Sequence, residues 1–174
     1  MKSVRRVLAA VVAGLLLLAG CSNPGAGVAA TVNGVDIAAS RIENAVRAIG
    51  ATPGQLAEPH AIVLTLAIRG EVAREIASEQ GIQLTGAPRT TMLAGNANLA
   101  RYADVPDAGD FVTDVVDSNL VTDRLGEDGF LAKLAAAQIQ VNPRYGSWSV
   151  QAGAVNQAGG QLSQPWATPT APAR

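Results

Sequence analysis

The stretch PHAIVLTLAIRGEVAREIASEQ, Pro59 to Gln80, decides the fold. Leu64, Ile68, Val72 and Ile76 recur every four residues, the spacing that stacks side chains on one face of an α-helix. Ile62, Leu66 and Ala73 widen that stripe, while Arg69, Glu71, Arg74, Glu75 and Glu79 fall mostly on the other side. A stripe this broad marks a central core helix. Pro59 suits the first helical turn, and Gly81 suits a left-handed stop. Gly70 interrupts the helix interior at a cost of about 1 kcal/mol relative to Ala, which a close helix contact would explain.

The rest of the chain is consistent with a body built around such a helix. Its 174 residues make one ordinary domain. Aromatic residues are only 3% of the chain, so the core must be aliphatic, which favours helices packed through Ala and Leu. A net charge of −1 leaves no electrostatic footprint for nucleic acid.

Upstream of the central helix, Ser40-Arg41-Ile42-Glu43 fits a capping box for a helix over 40–49, ended by Gly50. Before it, Val28 to Ile37 reads as two short extended pieces around Asn33-Gly34, a strong two-residue hairpin signal because both positions tolerate positive φ. Downstream, the pattern predicts a third helix over 88–102 with Met92, Leu93, Leu99 and Tyr102 inward. A fourth is predicted over 110–125 with Phe111, Val115, Leu120 and Leu125 inward, and a fifth over 127–137 around Phe130, Leu131 and Leu134. Gln138 to Val141 alternates polar and apolar and reads as a strand. The expected fold is therefore mainly α with a small β-sheet, a five-helix body beside which the N-terminal and C-terminal strands pair. Residues 151–174, rich in Gly, Gln, Pro and Thr, read as a disordered tail in which Trp166 is isolated.

The N-terminus reads as a leader. Lys2, Arg5 and Arg6 precede an apolar run of about a dozen residues, Val7 to Leu18. A membrane span needs about twenty, so the run is a signal-peptide core. Leu18-Ala19-Gly20-Cys21 closes it and resembles the lipobox of bacterial lipoproteins, in which cleavage between Gly20 and Cys21 leaves Cys21 to carry the lipid. The other reading is an ordinary secretory signal with a chance Cys. Cys21 is the only Cys, so the exported protein has no internal disulfide and no other thiol nucleophile. The expected division is a signal peptide at 1–20, a flexible tether at 21–27, a folded domain at 28–150 and the tail. Removing Lys2, Arg5 and Arg6 leaves 10 basic against 14 acidic residues, a net of −4. Such a body is not drawn to an anionic leaflet, so lipid on Cys21 must do the anchoring at the outer face of the cell membrane.

No catalytic constellation emerges. His60 stands alone at a helix start, without a nucleophile-elbow Ser or a Cys, and reads as a near-surface residue. Asp104, Asp107, Asp110, Asp114 and Asp117 lack the order of a Ca²⁺ loop and read as a solvated acidic face. The sequence thus calls for no metal, no cofactor and no enzymatic role.

Three segments carry a family resemblance. VAATVNGVDIAASRIENAV, 28–46, resembles the opening of SurA/PrsA-type and trigger-factor-like peptide-binding domains, a strand of the form A-x-V-N-G-x-x-I followed by a capped helix. Ala30, Val32, Asn33, Gly34 and Ile37 occupy those places. GIQLTGAPRTT, 81–91, resembles the family's later Gly-Ile/Val-x-Val-Thr step, with Leu84 and Thr85 standing in and the usual acidic residues missing. VNPRYGSW, 141–148, is similar to the end of SurA N-terminal-domain lipoproteins of high-GC Gram-positive bacteria, through Asn142, Pro143, Arg144, Tyr145 and Gly146. The resemblance spans Val28 to Val150 and is weakest between Met92 and Phe111. It implies a membrane-anchored, extracytoplasmic chaperone-like module that binds unfolded or exported polypeptides. The family's separate parvulin domain finds no room here, so isomerase activity is not implied. No individual peptide-contacting residue carries over. The alternative is a structural lipoprotein holding one specific envelope partner. The closing segment itself reads as architectural, with Ile139 and Val141 inward and Tyr145 and Trp148 covering the sheet.

Overall fold

The computed structural model describes residues 24–50 and 58–156; the leader, Gly20, Cys21 and Trp166 lie outside them. Strands β1 (Val28–Val32) and β2 (Val35–Ala38) form an antiparallel hairpin. Its turn residues Asn33 and Gly34 have φ of 48° and 87°, the left-handed geometry that selects an Asn-Gly pair. β3 (Ile139–Val141) pairs antiparallel with the other side of β1, giving the order β2-β1-β3. The two ends of the domain therefore meet in one sheet, as the alternation before Asn142 predicts. Ala30, Val32 and Ile37 are buried, and Ile139 and Val141 pack against them. Thr31, Asp36 and Gln140 share the opposite, polar face, where the Thr31 hydroxyl donates to Asp36 at 2.9 Å.

The helical body comprises α1 (Ala39–Ala48), α2 (Pro59–Gln80), α3 (Ala87–Ala94), α4 (Ala97–Ala100), α5 (Gly109–Leu125) and α6 (Glu127–Ala136). α2 is the centre, with Leu64, Ala67, Ile68, Val72, Ala73 and Ile76 buried. It ends at Gly81, whose φ is 66°. Ile62, expected in the stripe, is instead 41% exposed, and Val63 takes the core position. Phe130 on α6 is fully buried under the Arg69 guanidinium, 4.9 Å from its ring centre; burial of such a ring is worth about 1.5–3 kcal/mol.

Several local expectations are corrected. The capping box does not form: α1 starts after Ala38 without a side-chain cap, and the Ala39 N–H donates to the Gly27 carbonyl at 2.9 Å. The backbone supplies the cap, which frees Glu43 for a tertiary role. The third helix is two, because Asn96 accepts from the Leu99 N–H at 3.0 Å and starts a new turn after Gly95. On α5 the buried face is Val112, Val116 and Val121, while Phe111, Val115, Leu120 and Leu125 are half-buried. Leu99, Val112 and Val116 make a small second core.

The order also extends past Val150. After a 3₁₀ turn at Pro143–Tyr145, β4 (Ser147–Ser149) pairs antiparallel with β5 (Ala154–Asn156). Val155 is buried, and its N–H donates to the Thr65 hydroxyl on α2 at 2.9 Å. Among the described residues no helix is long and apolar enough to cross a membrane.

Candidate functional site

Asn142 organises the closing segment. Its N–H donates to the Ala29 carbonyl at 2.8 Å, which continues the β1–β3 ladder by one rung. Its side-chain amide donates to the carbonyls of Val28 at 3.0 Å and Gly25 at 3.3 Å, and its Oδ1 accepts from the Arg144 N–H at 3.2 Å. Asn is suited to this post because one amide offers both donors and an acceptor. Pro143 opens the 3₁₀ turn where no N–H is needed. Gly146 has φ of 120°, and a Cβ there would lie 2.5 Å from the Asn156 carbonyl oxygen. At the far end of the sheet, Asn33 Oδ1 accepts from the Gln138 N–H at 2.7 Å, and its amide donates to Glu75 on α2. Asn33 and Asn142 thus tie opposite ends of the β1–β3 pair.

Tyr145, only 3% exposed, reaches a polar cluster that no sequence motif announces. Its hydroxyl donates to Glu43 Oε1 at 3.1 Å. His60 Nε2 lies 3.0 Å from Glu43 Oε2, and Arg144 Nη2 lies 3.6 Å from Oε1. Burial pushes the Glu43 carboxyl up, but His60, Tyr145 and Arg144 together hold it below its usual value. Burial and the hydrogen bond to Glu43 push the Tyr145 hydroxyl up. His60 is near the surface as expected, yet it is paired. The cluster couples α1, the start of α2 and the closing turn. It offers no activated nucleophile, and among the described residues no group of three His, Cys, Asp or Glu could hold a metal.

Asp104, Asp107 and Asp110 are exposed, as the solvated acidic face predicts, but a second cluster overturns that reading for Asp114 and Asp117. Asp114 and Asp117 are 3% and 2% exposed. Arg41 bonds Asp114 through Nη2 at 2.6 Å and 2.7 Å. Arg74 Nη1 donates to Asp114 at 3.0 Å and Asp117 at 3.2 Å, and Arg89 also donates to Asp117. Asp110, at the exposed rim, meets Arg41 at 3.4 Å. The carboxylates are buried because three arginines from α1, α2 and α3 converge on α5.

A further candidate is a groove of about 460 Å³ lined by Ile139, Val141, Pro143, Ser147, Trp148 and Val150, with no charged side chain in its wall; two others of about 410 and 420 Å³ are bordered by Asp36 and by Glu71, Arg74, Glu75 and Glu79, respectively. This size falls within the usual range for small-ligand sites. Ile139 and Val141 come from β3, which among the described residues is an edge strand paired only with β1. Sequence reasoning placed both residues inward and Trp148 as a cover, and the structure agrees. It did not find the groove, because the groove depends on how β4 lies against β3. No protein-family model, no curated protein and no solved structure matches the chain.

Proposed function

We propose that the protein is a lipid-anchored, extracytoplasmic binder of extended polypeptides that assists exported proteins and has no isomerase activity of its own. The observation that carries this reading is the uncharged, apolar groove beside the edge strand β3. Such a site suits a chain segment whose own backbone polar groups still need partners. The lipobox at Leu18 to Cys21 supports the anchoring, and the Asn33-Gly34 and Asn142 to Gly146 motifs support the family reading.

The test is direct. Protein beginning at Ser22 is applied to an array of unstructured peptides from exported proteins. Binding to a broad set, centred on uncharged apolar segments, is the expected result; no binding anywhere on the array would refute the reading. Among the described residues only Val35, Ile62 and Val150 are large hydrophobics left more than a third exposed. That small apolar surface favours one seated segment over a broad holdase face. It also keeps alive a second reading, a single envelope partner that donates such a segment. Crosslinking from the membrane-anchored protein separates them, since many unfolded clients support the first and one folded partner supports the second.

A further inference from the structure

We infer that the groove takes its guest by strand addition, with β3 pairing through the backbone of Ile139 and Val141 to a short, uncharged extended segment of another polypeptide. The inference rests on the peptide-binding reading above and specifies its chemistry.

The hydrogen-bond parity of the sheet fixes which groups are on offer. In an antiparallel pair, alternate residues turn their N–H and C=O toward the partner strand. The Asn142 N–H donates to Ala29, and the Asn33 N–H donates to Gln138. With Thr31 opposite Gln140, positions 138, 140 and 142 therefore face the β1 side, although the Gln138 N–H goes to the Asn33 side chain and the Asn142 carbonyl accepts from the Tyr145 N–H. Ile139 and Val141 face the other way, and among the described residues no strand pairs there. Those same two residues line the groove. The edge ends where Pro143 has no N–H to give, so a guest gains a ladder of about three residues.

The groove wall narrows the guest further. It holds no charged side chain, so a charged residue seated there would lose its water without compensation. The opposite edge, β2, exposes Asp36, the kind of charge that guards an edge against pairing. β3 carries no such guard, because Gln140 is its only polar side chain. Chemistry and placement therefore select an uncharged, β-prone segment on β3.

The experiment uses ¹⁵N-labelled protein from Ser22 onward and the capped peptide acetyl-Thr-Val-Thr-Val-Thr-amide, with two partners N-methylated on alternate amides. The expected result is shifts at the Ile139 and Val141 amides with the parent peptide. One methylated register should bind at least tenfold more weakly, and the other should bind as the parent does. Equal binding by both methylated forms, or shifts confined to other surfaces, overturns strand addition while leaving peptide binding standing. If the peptide array above is also blank, the underlying reading fails as well. On the protein side, Val141→Pro removes a donor that β1 does not use but also fixes φ and replaces a side chain packed on the core, so its melting is checked first and its affinity should fall at least tenfold. The methylated peptides act on the unaltered protein and decide the matter if that variant misfolds. Binding that emerges only after residues 157–174 are removed would assign the edge to the chain's own C-terminal segment and overturn the inference. A peptide-independent dimer closed through β3 would overturn it in favour of a second copy.

Discussion

Asp114 is a carboxylate placed where only arginine makes it tolerable. A Cβ built on Gly70 would lie 2.5 Å from its Oδ1 and 2.8 Å from its Cα, so α2 and α5 touch at that point through backbone. Gly70→Ala should raise helix propensity by about 1 kcal/mol and still destabilise the protein by about 1–3 kcal/mol through overpacking; urea unfolding measures the net. Asp114→Asn removes the carboxylate that Arg41 grips twice and that shares Arg74 with Glu71 and Asp117. It also removes the cost of burying that charge, so at neutral pH it should destabilise by well under the ~3–5 kcal/mol of a broken buried pair. Burial pushes the Asp114 carboxyl up to about 6 against the pull of Arg41 and Arg74. Arg74 is itself held above its usual value despite burial, by Glu71 and Asp114; it serves three carboxylates, so its proton is firm while each acid has only a share of its charge. Because the folded state holds the Asp114 proton more tightly than the unfolded chain, stability from this group falls as pH rises through about 6. Glu43 has the opposite sign: its lowered carboxyl contributes above the ordinary carboxylate range and is lost as pH falls through its folded value. Unfolding curves across this range should therefore lose the Asp114 term in Asp114→Asn and steepness on the acid side in Glu43→Gln. The close approach at Gly70 was legible as a helix interruption that such a contact explains, but the burial of the acids was not. Aspartates three to four apart on a helix look the same whether they face water or arginines, and Arg41, Arg74 and Arg89 are remote in the chain.

At the scale of elements, legibility followed periodicity and turn chemistry. α2 was readable from its four-residue spacing and its terminal Gly, and β1–β2 from Asn33-Gly34, because local sterics alone fix both. The pairing of β3 with β1 followed from one lone strand needing a partner. The break between α3 and α4 was missed because Asn96 acts as a cap only once the preceding turn has ended. The β4–β5 hairpin was missed because three-residue strands are too short to show a period, and Val155 is held by Thr65 from another element. The closing segment is where these elements are joined, so damage there should spread. Gly146→Ala meets both a positive φ and the Asn156 carbonyl, and should cost about 1–3 kcal/mol, read as a lowered melting temperature with loss of amide protection at β5. Deleting residues 142–150 removes the Asn142 bonds, the buried Tyr145 and the Trp148 cover together. The domain should then fail to melt cooperatively; an unchanged melt would show that the sheet and helices stand without it.

For the whole molecule, the two ends of the domain close on one another. Asn142 bonds the carbonyls of Gly25 and Val28, so the closing segment is fastened a few residues from Cys21. If Cys21 carries lipid as proposed, the sheet end of the domain, with β3 and its groove, stays close to the membrane while the α2–α5 crossing lies further along the chain. Anchoring and binding would then be separable, since the groove is built from residues 139–150, far along the chain from Cys21. Cys21→Ser should redistribute the protein from the membrane fraction to the soluble one, abolish lipid mass on the N-terminal peptide, and leave the melting temperature of the domain unchanged. Its affinity for a groove-binding peptide in solution should equal that of the lipidated protein in detergent. What it should lose is capture of exported clients at the membrane, because an anchored site meets chains as they emerge at a high local concentration. A Cys21→Ser protein that remains membrane-bound would remove the lipid from the account, and one that melts lower would mean that the anchor supports the fold.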